Sequence, residues 1–536
     1  MRFLALNHES FIVELRTLGE TLLLLQALRA TPLPGVEDVI PAARTLTIRF
    51  SSQIAKAEEL AGDIARMNLM ATTLTDGKLV EVPVVYDGED LPEVAALTGL
   101  STHEVICRHR DAEYFVAFCG FAPGFGYLVG GDPALHVPRR RTPRARIPAG
   151  AVALAGDFTG VYPRVSPGGW QLIGTTPLKM WDLARTPPAY FQPGYRVRFY
   201  DATTKNRIYT AKDREFSKQT APRVDKNAVQ FSVVVAPVPA LFQDLGRFGV
   251  AGQGVSASGV LDRSSFKSAN RIVGNDEAEP CLEFTGSISF RSSGAAIIGV
   301  AGAPRGIDLR NAAGQILHAA AYEPIALENG DEVTLSDTEA GVYSYLAVRG
   351  GFNIERVLGS ASRDTLSEIG PEPVGAGSVL AVRDATKIRA PVLLHEISNF
   401  VFPRSGETVT LDLTLGPRTD WFTPEALKVL ANTVWEVKQQ SNRVGLRLDA
   451  PESLARSRHE ELPSEVVVTG ALQVPADGKP LLFLADHPLT GGYPVIGVVA
   501  DYHLDLAGQI PVGAKIRFRP SAPFREIKPT RRASMR

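Results

Sequence analysis

The densest run of chemically capable residues lies between positions 118 and 170. Gly120-Phe121-Ala122-Pro123-Gly124-Phe125-Gly126-Tyr127 sets aromatic and apolar groups between glycines. Glycine removes Cβ bulk and admits positive φ, so backbone amides there can face a ligand. Just beyond, Arg139, Arg140, Arg141, Arg144 and Arg146 place five guanidinium groups within eight residues around Pro143. Arginines on a proline-stiffened loop suit bidentate recognition of carboxylate or phosphate; the alternative is a solvated basic strand edge. Ser166-Pro167-Gly168-Gly169-Trp170 and Thr490-Gly491-Gly492-Tyr493 each join a hydroxyl, a flexible Gly-Gly and an aromatic ring. Their amides can hold an oxyanion while the ring stacks on a planar substrate, or each can be a tight hairpin closed by a core aromatic.

Further polar residues gather at glycine turns in the second half. They are Gln243-Asp244-Leu245-Gly246-Arg247, Ser258-Gly259-Val260-Leu261-Asp262-Arg263, Asn270, Gly274-Asn275, Glu283 and Ser441-Asn442-Arg443-Val444-Gly445. Carboxylates and amides so placed can hold a polar ligand or act as acid and base. Asp262 equally suits the N-cap of a helix over 264–273. Asp486-His487 adjoins Thr490-Gly491-Gly492, although a lone Asp-His pair is usually structural. There is no Gly-x4-Gly-Lys-Ser/Thr phosphate loop, no Gly-x-Gly-x-x-Gly after a strand, and no Gly-x-Ser-x-Gly elbow. His103, Cys107, His109 and Cys119 match no standard zinc spacing, so no metal site is assigned.

The elements that must position these groups are mostly short strands. Residues 1–78 read as a small α/β unit: strands at 11–15 and 46–50, helices at 17–30 and 54–67, forming an open two-layer sandwich. Over 79–200, strands near 80–86, 114–118, 151–154, 171–174 and 196–200 are separated by Gly and Pro, the texture of a barrel or β-sandwich. Residues 201–228 lose apolar periodicity and read as a linker. Short strands resume over 229–520, and 521–536 is a basic, Pro-interrupted tail read as frayed. A self-comparison adds a repeat: Gly168-Gly169-Trp170-Gln171-Leu172-Ile173-Gly174 returns as Gly491-Gly492-Tyr493-Pro494-Val495-Ile496-Gly497. Related turns precede both copies, Ile147-Pro148-Ala149-Gly150 and Val474-Pro475-Ala476-Asp477-Gly478. Two related β-domains around a pseudo-twofold axis follow from this; chance likeness of Gly-rich hairpins is the alternative.

Composition narrows the class. The 536 residues carry 57 Lys plus Arg against 58 Asp plus Glu, a net charge of −1. That balance argues against bulk capture of nucleic acid or an anionic membrane. Hydrophobic residues make up 44% and charged residues 21%, which is globular rather than disordered. Three cysteines cannot build a disulfide framework, in keeping with a reducing compartment. No apolar run approaches the roughly 18–20 residues of a membrane helix, and no secretory leader is evident. The expectation is a soluble, cytoplasmic chain, with a homo-oligomer allowed but not required.

Taken together, several of these segments resemble a known family. Phe121-Ala122-Pro123-Gly124-Phe125, Pro138-Arg139-Arg140, Pro143-Arg144, Ile147-Pro148-Ala149-Gly150 and Ser166-Pro167-Gly168-Gly169-Trp170 are similar to the carboxyltransferase domain of subfamily C/D, long labelled allophanate hydrolase subunit 1. Gln243-Asp244-Leu245-Gly246-Arg247, Leu261-Asp262-Arg263, Ala269-Asn270-Arg271, Ser441-Asn442-Arg443 and Thr490-Gly491-Gly492-Tyr493-Pro494 are similar to allophanate hydrolase subunit 2, subfamily A/B. In bacteria these are the B and C subunits of the ATP-dependent 5-oxoprolinase, so the chain resembles a B–C fusion over nearly its whole length. The resemblance implies a mainly β fold, with two cyclophilin-like β-barrel domains preceded by the small α/β sandwich. It implies a separate A subunit as partner, an amide or lactam substrate, and ATP with Mg²⁺. It further implies conversion of 5-oxoproline plus ATP to glutamate, the lactam being phosphorylated before ring opening. An amide oxygen is a poor leaving group until phosphorylated, and arginines can stabilise phosphoryl charge.

On this resemblance Arg139, Arg144, Arg146, Arg443 and Thr490 bind substrate or anion, and Gly169, Trp170, Gly492 and Tyr493 form the cleft. Asp244, Asp262 and Asp486 take the catalytic, polar or magnesium contacts. Two positions depart from the family pattern: Ala151 stands where relatives usually have Ser, and His487 where they often have Arg. The main rival is the carboxyltransferase component of a biotin-dependent urea or amide carboxylase, since urea carboxylase carries a similar pair of domains. The chain has no Met-Lys-Met attachment site, hence no covalent biotin of its own. The first half also resembles an inhibitor of a sporulation histidine kinase, which would make it a regulatory binder. An amidase-type allophanate hydrolase would need a Gly-Ser-Ser-Gly-Gly-rich core, for which Ser292-Ser293-Gly294 is too short.

Overall fold

The computed structural model describes residues 1–69, 77–140, 142–203 and 228–531. Arg141, most of the segment read as a linker, and the last five residues of the basic tail lie outside the described residues.

The first unit is a four-stranded antiparallel sheet in the spatial order Arg2–Asn7, Ser10–Glu14, Thr45–Phe50, Val36–Pro41, with helices Leu18–Ala30 and Ala57–Ala65. Thr17 caps the first helix by accepting from the Glu20 N–H, and the chain leaves at Thr31 before Pro32. Phe3, Phe11 and Val13 face the helices together with Leu46, Ile48 and Phe50. Leu4, Leu6 and Ile12 face the other way, onto Val467, Ala471, Phe483 and Val498. Both faces of these strands are therefore covered, which erases the period-2 pattern and hides the strand at 2–7 from sequence reading.

Next comes a seven-stranded sheet in the order Gln171–Thr175, Ala151–Ala155, Phe158–Val161, Gly126–Val129, Glu113–Cys119, Arg196–Asp201, Leu79–Val84. Its outer strands meet through one bridge, Val85 with Thr175, whose two N–H···O bonds are both 2.8 Å and bring the sheet round on itself. Helices Leu91–Thr98 and Thr102–Asp111 are inserted after its first strand; the second starts from a capping box between Ser101 and Glu104.

The span 229–520, read from sequence as one barrel unit, holds two sheet systems. A β-sandwich comes first, a six-stranded and a five-stranded sheet running from Gln230–Val235 to Val379–Ala381 and enclosing a common core that includes Phe231, Phe242, Leu282 and Leu346. A closed seven-stranded barrel follows, ordered Thr408–Leu415, Val495–Val499, Ala471–Gln473, Leu481–Phe483, Gly445–Asp449, Val434–Val437, Lys515–Pro520. Parallel pairing of its first and last strands seals it.

The two barrels share one topology, strand for strand. In each, the first strand runs parallel to the last, and the last runs antiparallel to the strand that follows the helical insertion. Each also carries a two-stranded satellite at its Gly-Gly motif: Arg144–Ile147 with Ser166–Gly168, and Glu465–Val466 with Thr490–Gly491. This matching topology agrees with the internal repeat.

The start of the tail is not frayed. Leu4 bridges Glu526, the Ile527 N–H donates to the Phe3 carbonyl at 2.8 Å, and the Thr530 N–H donates to the Glu58 carbonyl at 2.9 Å. Arg418, 2% exposed, completes the seam between the first unit and the second barrel by pairing with Glu14 at 2.7 Å and with Glu465.

Candidate functional site at the junction of the barrels

Three segments from three units converge at one place. The loop 120–125 joins two neighbouring strands of the first barrel. Its Phe121 N–H donates to the Thr490 hydroxyl of the second barrel at 2.9 Å, and its Gly124 N–H donates to the Gln253 carbonyl of the sandwich at 2.9 Å. Glycine is required on both sides of the contact. A Cβ on Gly120 would lie 2.5 Å from the Thr490 hydroxyl, and one on Gly254 would lie 2.6 Å from the Ala122 carbonyl. Phe121 itself takes a φ of 64°, unusual outside glycine.

Behind the loop is an aromatic cluster. Phe125 meets Tyr162 and Trp170 edge-on, both with centroids 5.2 Å apart, and Tyr127 meets Trp170 at 5.6 Å. Burial pushes the Tyr127 hydroxyl pKa up, while Ser464 and Thr490 hydrogen bonds and the charge of Arg139 pull the other way. Trp170 is thus a core aromatic that shapes the wall rather than an open stacking platform, and Gly169 serves as an anchor by accepting from the Arg140 N–H at 2.7 Å. Its counterpart Tyr493 is half exposed and lies beneath the Arg456 guanidinium at 5.7 Å, with partly exposed Gly492 beside it, where a Cβ would lie 3.5 Å from the Leu462 carbonyl.

The arginine cluster divides. Arg144 clasps buried Asp90 at 2.7 and 2.9 Å and reaches Glu89 at 2.8 Å; Arg140 takes the same Asp90 at 2.7 Å and Glu93 at 3.1 Å. Asp90 also accepts from the Leu172 N–H at 2.7 Å, so these arginines lock a helix start to a barrel strand. The expectation of Arg144 as an anion binder is corrected on that ground: its charge is already matched. Arg139 pairs across the seam with exposed Glu461 at 3.0 Å. Arg146 is exposed and has no ion pair among the described residues.

From the junction, two segments run side by side into a buried polar network: 254–258 of the sandwich and 486–490 of the second barrel. At its centre Asp486, fully buried, accepts from the Ser258 hydroxyl at 2.5 Å, the Thr365 N–H at 2.9 Å, the Thr365 hydroxyl at 2.7 Å and Arg443 Nε at 2.9 Å. Burial alone would raise the Asp486 pKa, but the Arg443 charge and these bonds outweigh it and hold it below the ordinary carboxylate range. Ser258 has a left-handed backbone with φ 55°. Arg443 also pairs with buried Glu283 and donates to the Gly259 carbonyl.

Of the three aspartates expected to do chemistry, only Asp486 stands at this centre, holding the buried Ser258 hydroxyl and that of exposed Thr365. Asp244 is spent on a turn, accepting from the Gly246 and Ala361 N–H groups and from Ser360 and Ser362. Asp262 is the N-cap of helix Arg263–Ile272, bonded to the Ser265 N–H at 2.9 Å and to Gln509 at 2.9 Å; the capping alternative prevails over a catalytic role. Ser258, Thr365, Asp364 and Arg247 complete the network. The bonds of Ser258 and Thr365 to Asp486, of Ser256 to Asp364 and of Arg247 to Ser362 each span more than 100 positions, which no local spacing reveals. Among the described residues, no group of three or more His, Cys, Asp or Glu is placed to hold a metal ion, and no helix is long and apolar enough to cross a membrane.

The chain matches the model of the carboxyltransferase domain, subdomain C and D, over residues 1–191, and that of subdomain A and B over residues 253–520. It is 41% identical over 177 residues to the 5-oxoprolinase B subunit of Escherichia coli O157:H7, a match that spans 32% of this chain and 81% of that protein. It is 30% identical over 283 residues to the 5-oxoprolinase C subunit of Escherichia coli K12, covering 52% of this chain and 86% of that protein. Urea amidolyase of Saccharomyces cerevisiae is 32% identical over 294 residues, covering 51% of this chain but 16% of that much longer protein. Among solved structures, that of TTHA0988 superposes with a TM-score of 0.79 at 33% identity, covering 95% of this chain and 99% of that one.

Proposed function

The chain belongs to the carboxyltransferase-domain family, with subdomains C and D ahead of A and B, and from that premise we propose that it is the fused B and C component of a 5-oxoprolinase, acting with a separate A subunit on 5-oxoproline. One observation carries the reading: each half is similar to a different component of that enzyme over most of the component's length. The three-way junction is the place we assign to the substrate, because units from both halves supply its walls.

In this reading the junction binds and orients a small lactam. Phe121 and the aromatic cluster exclude water from one side, Thr490 fixes the loop against the second barrel, and Arg139 is the cation held at the seam. Asp486, ionised by Arg443, orients the Ser258 and Thr365 hydroxyls. The residues expected to cradle ATP and Mg²⁺ do not fit that task. Of the arginines expected to bind anion, Arg144 is matched by Asp90 and Glu89 and Arg139 by Glu461, Arg146 stands exposed with no ion pair among the described residues, and the described carboxylates form no metal cluster. We assign the handling of the nucleotide to the partner.

The test is release of glutamate from 5-oxoproline with ATP and Mg²⁺, using this chain, a verified A subunit and the mixture. Product only in the mixture supports the reading, and no product overturns it. The urea amidolyase likeness over half the chain supports a second reading, carboxyl transfer to a urea-like amide. Carboxylation of urea with free carboxybiotin as donor, in place of glutamate release, would favour that one.

A further inference from the structure

One group at the sandwich–barrel seam is used by none of the chemistry above. The guanidinium of Arg247 is 2% exposed and donates through Nη2 to the Ser362 carbonyl. Its Nε and Nη1 have no hydrogen-bond partner among the described residues. The charges of Asp364, Asp244 and Asp486 act on it, and that of Arg363 opposes them, yet it forms no ion pair with any of the three, although a buried arginine ordinarily pairs with such a neighbour. Here each is engaged elsewhere. Asp244 accepts from two backbone N–H groups and two serine hydroxyls at 2.6–2.9 Å. Asp486 is held by Ser258, Thr365 and Arg443. Asp364 accepts from the Leu366 N–H at 2.9 Å, the Ser367 N–H at 2.8 Å and the Ser256 hydroxyl at 3.3 Å. A buried donor left without a partner is destabilising, the more so when charged, and a bound acceptor removes that penalty.

We propose that Arg247 is the receiving group of a buried monocarboxylate subsite, and that, resting on the oxoprolinase reading, its ligand is the carboxylate of 5-oxoproline. The charge pattern selects the class. A single negative charge satisfies the open guanidinium, whereas a phosphate dianion would bring its second charge against three aspartates. The subsite adjoins the junction. The Arg247 backbone N–H donates to the Ala257 carbonyl at 2.8 Å, so the backbone that carries Arg247 lies against the backbone that carries Ser258, whose hydroxyl is on Asp486. Thr365, bonded to Asp486, is exposed, which leaves solvent one residue away.

The experiment is calorimetric titration of the full chain, wild type and Arg247→Gln, with formate, 5-oxoproline, 2-pyrrolidinone and inorganic phosphate. The last organic probe is the same ring without the carboxylate. Charge-assisted hydrogen bonds predict that 5-oxoproline binds wild type roughly 10- to 100-fold tighter than 2-pyrrolidinone. In Arg247→Gln that preference falls to about threefold or less, with the far-ultraviolet dichroism unchanged. If Arg247→Gln fails to fold, Arg247→Lys decides: it keeps the charge, loses the planar fork, and must reduce the preference about tenfold. Retention of the full preference in either folded variant overturns the subsite. So does phosphate binding tighter than formate, or no saturable binding of formate and 5-oxoproline to wild type. Formate binding that depends on Arg247 without 5-oxoproline binding supports the subsite and overturns the oxoprolinase identity of its ligand.

Discussion

Substituting Asp486 by Asn removes one charge from the centre of the buried network while keeping its volume. Arg443, 5% exposed, then retains only Glu283 as a charged partner. Breaking a buried pair by removing one member costs about 3–5 kcal/mol. Because Glu283 remains and Asn can still accept from Ser258 or Thr365, the lower end applies, about 3 kcal/mol. For a unit of this size that lowers the melting temperature by about 6–12 °C. The pH dependence has a definite sign. The folded Asp486 pKa lies below its ordinary value, because Arg443 and the hydroxyl and amide donors outweigh burial. Its stabilisation is thus fully present above the unfolded value, about 3.9, and is lost as pH falls through the folded one. Differential scanning calorimetry of wild type, Asp486→Asn, Arg443→Met and the double variant supplies the cycle, with a coupling of about 2–3 kcal/mol expected. A loss under about 1 kcal/mol at neutral pH, or additive single effects, would refute the reasoning.

Three further outcomes follow from the packing. Arg418→Met strands buried Glu465 and costs about 3 kcal/mol or more; urea unfolding followed by Trp421 fluorescence measures it, and Glu14, which keeps Arg2 at 2.8 Å, limits the loss. Gly254→Ala places a Cβ 2.6 Å from the Ala122 carbonyl at a φ of 79°. It should lower stability by about 2 kcal/mol and reduce glutamate release in the mixed assay more than Gly249→Ala, whose Cβ meets nothing. His109, buried between the Tyr86 and Thr159 hydroxyls, has its pKa lowered by burial to about 3. The unfolded chain takes up this proton first, so stability falls between about pH 6.5 and 3, and His109→Gln flattens that part of the profile.

Much of this architecture is legible in the residues, for physical reasons that also mark the limit. Alternation at Leu46, Ile48 and Phe50 announces a strand, although Thr45 and Thr47 on its other face are buried as well, and the repeated Gly-Gly segments announce two barrels of one topology. The division of 229–520 is not legible, because buried runs such as Cys281–Phe284 and Ser344–Val348 have the same texture in a sandwich as in a barrel. At the site, Thr490 and Asp486 stand out through their motif. The Arg139–Arg146 cluster misleads because Asp90, which neutralises Arg140 and Arg144, lies 50 and 54 positions away. Ser258 and Arg247 sit inside quoted motifs, yet a left-handed φ and an unmade hydrogen bond are properties of the assembled fold alone.

The pairing of Leu4 with Glu526 has a consequence for how such a protein can be encoded. Residues 3 and 4 meet residues 526 and 527, and the first unit packs on the last barrel through Leu4, Leu6 and Ile12 as well as on its neighbour in sequence through Leu18, Leu22 and Ala43. Because positions 4 and 526 are neighbours, a chain joined there and opened between the halves would be a circular permutant, A and B before C and D. The covalent link between the halves then acts chiefly as a tether that fixes one-to-one stoichiometry and a high effective concentration. Two separate polypeptides, or one polypeptide in either order, are three encodings of the same assembly.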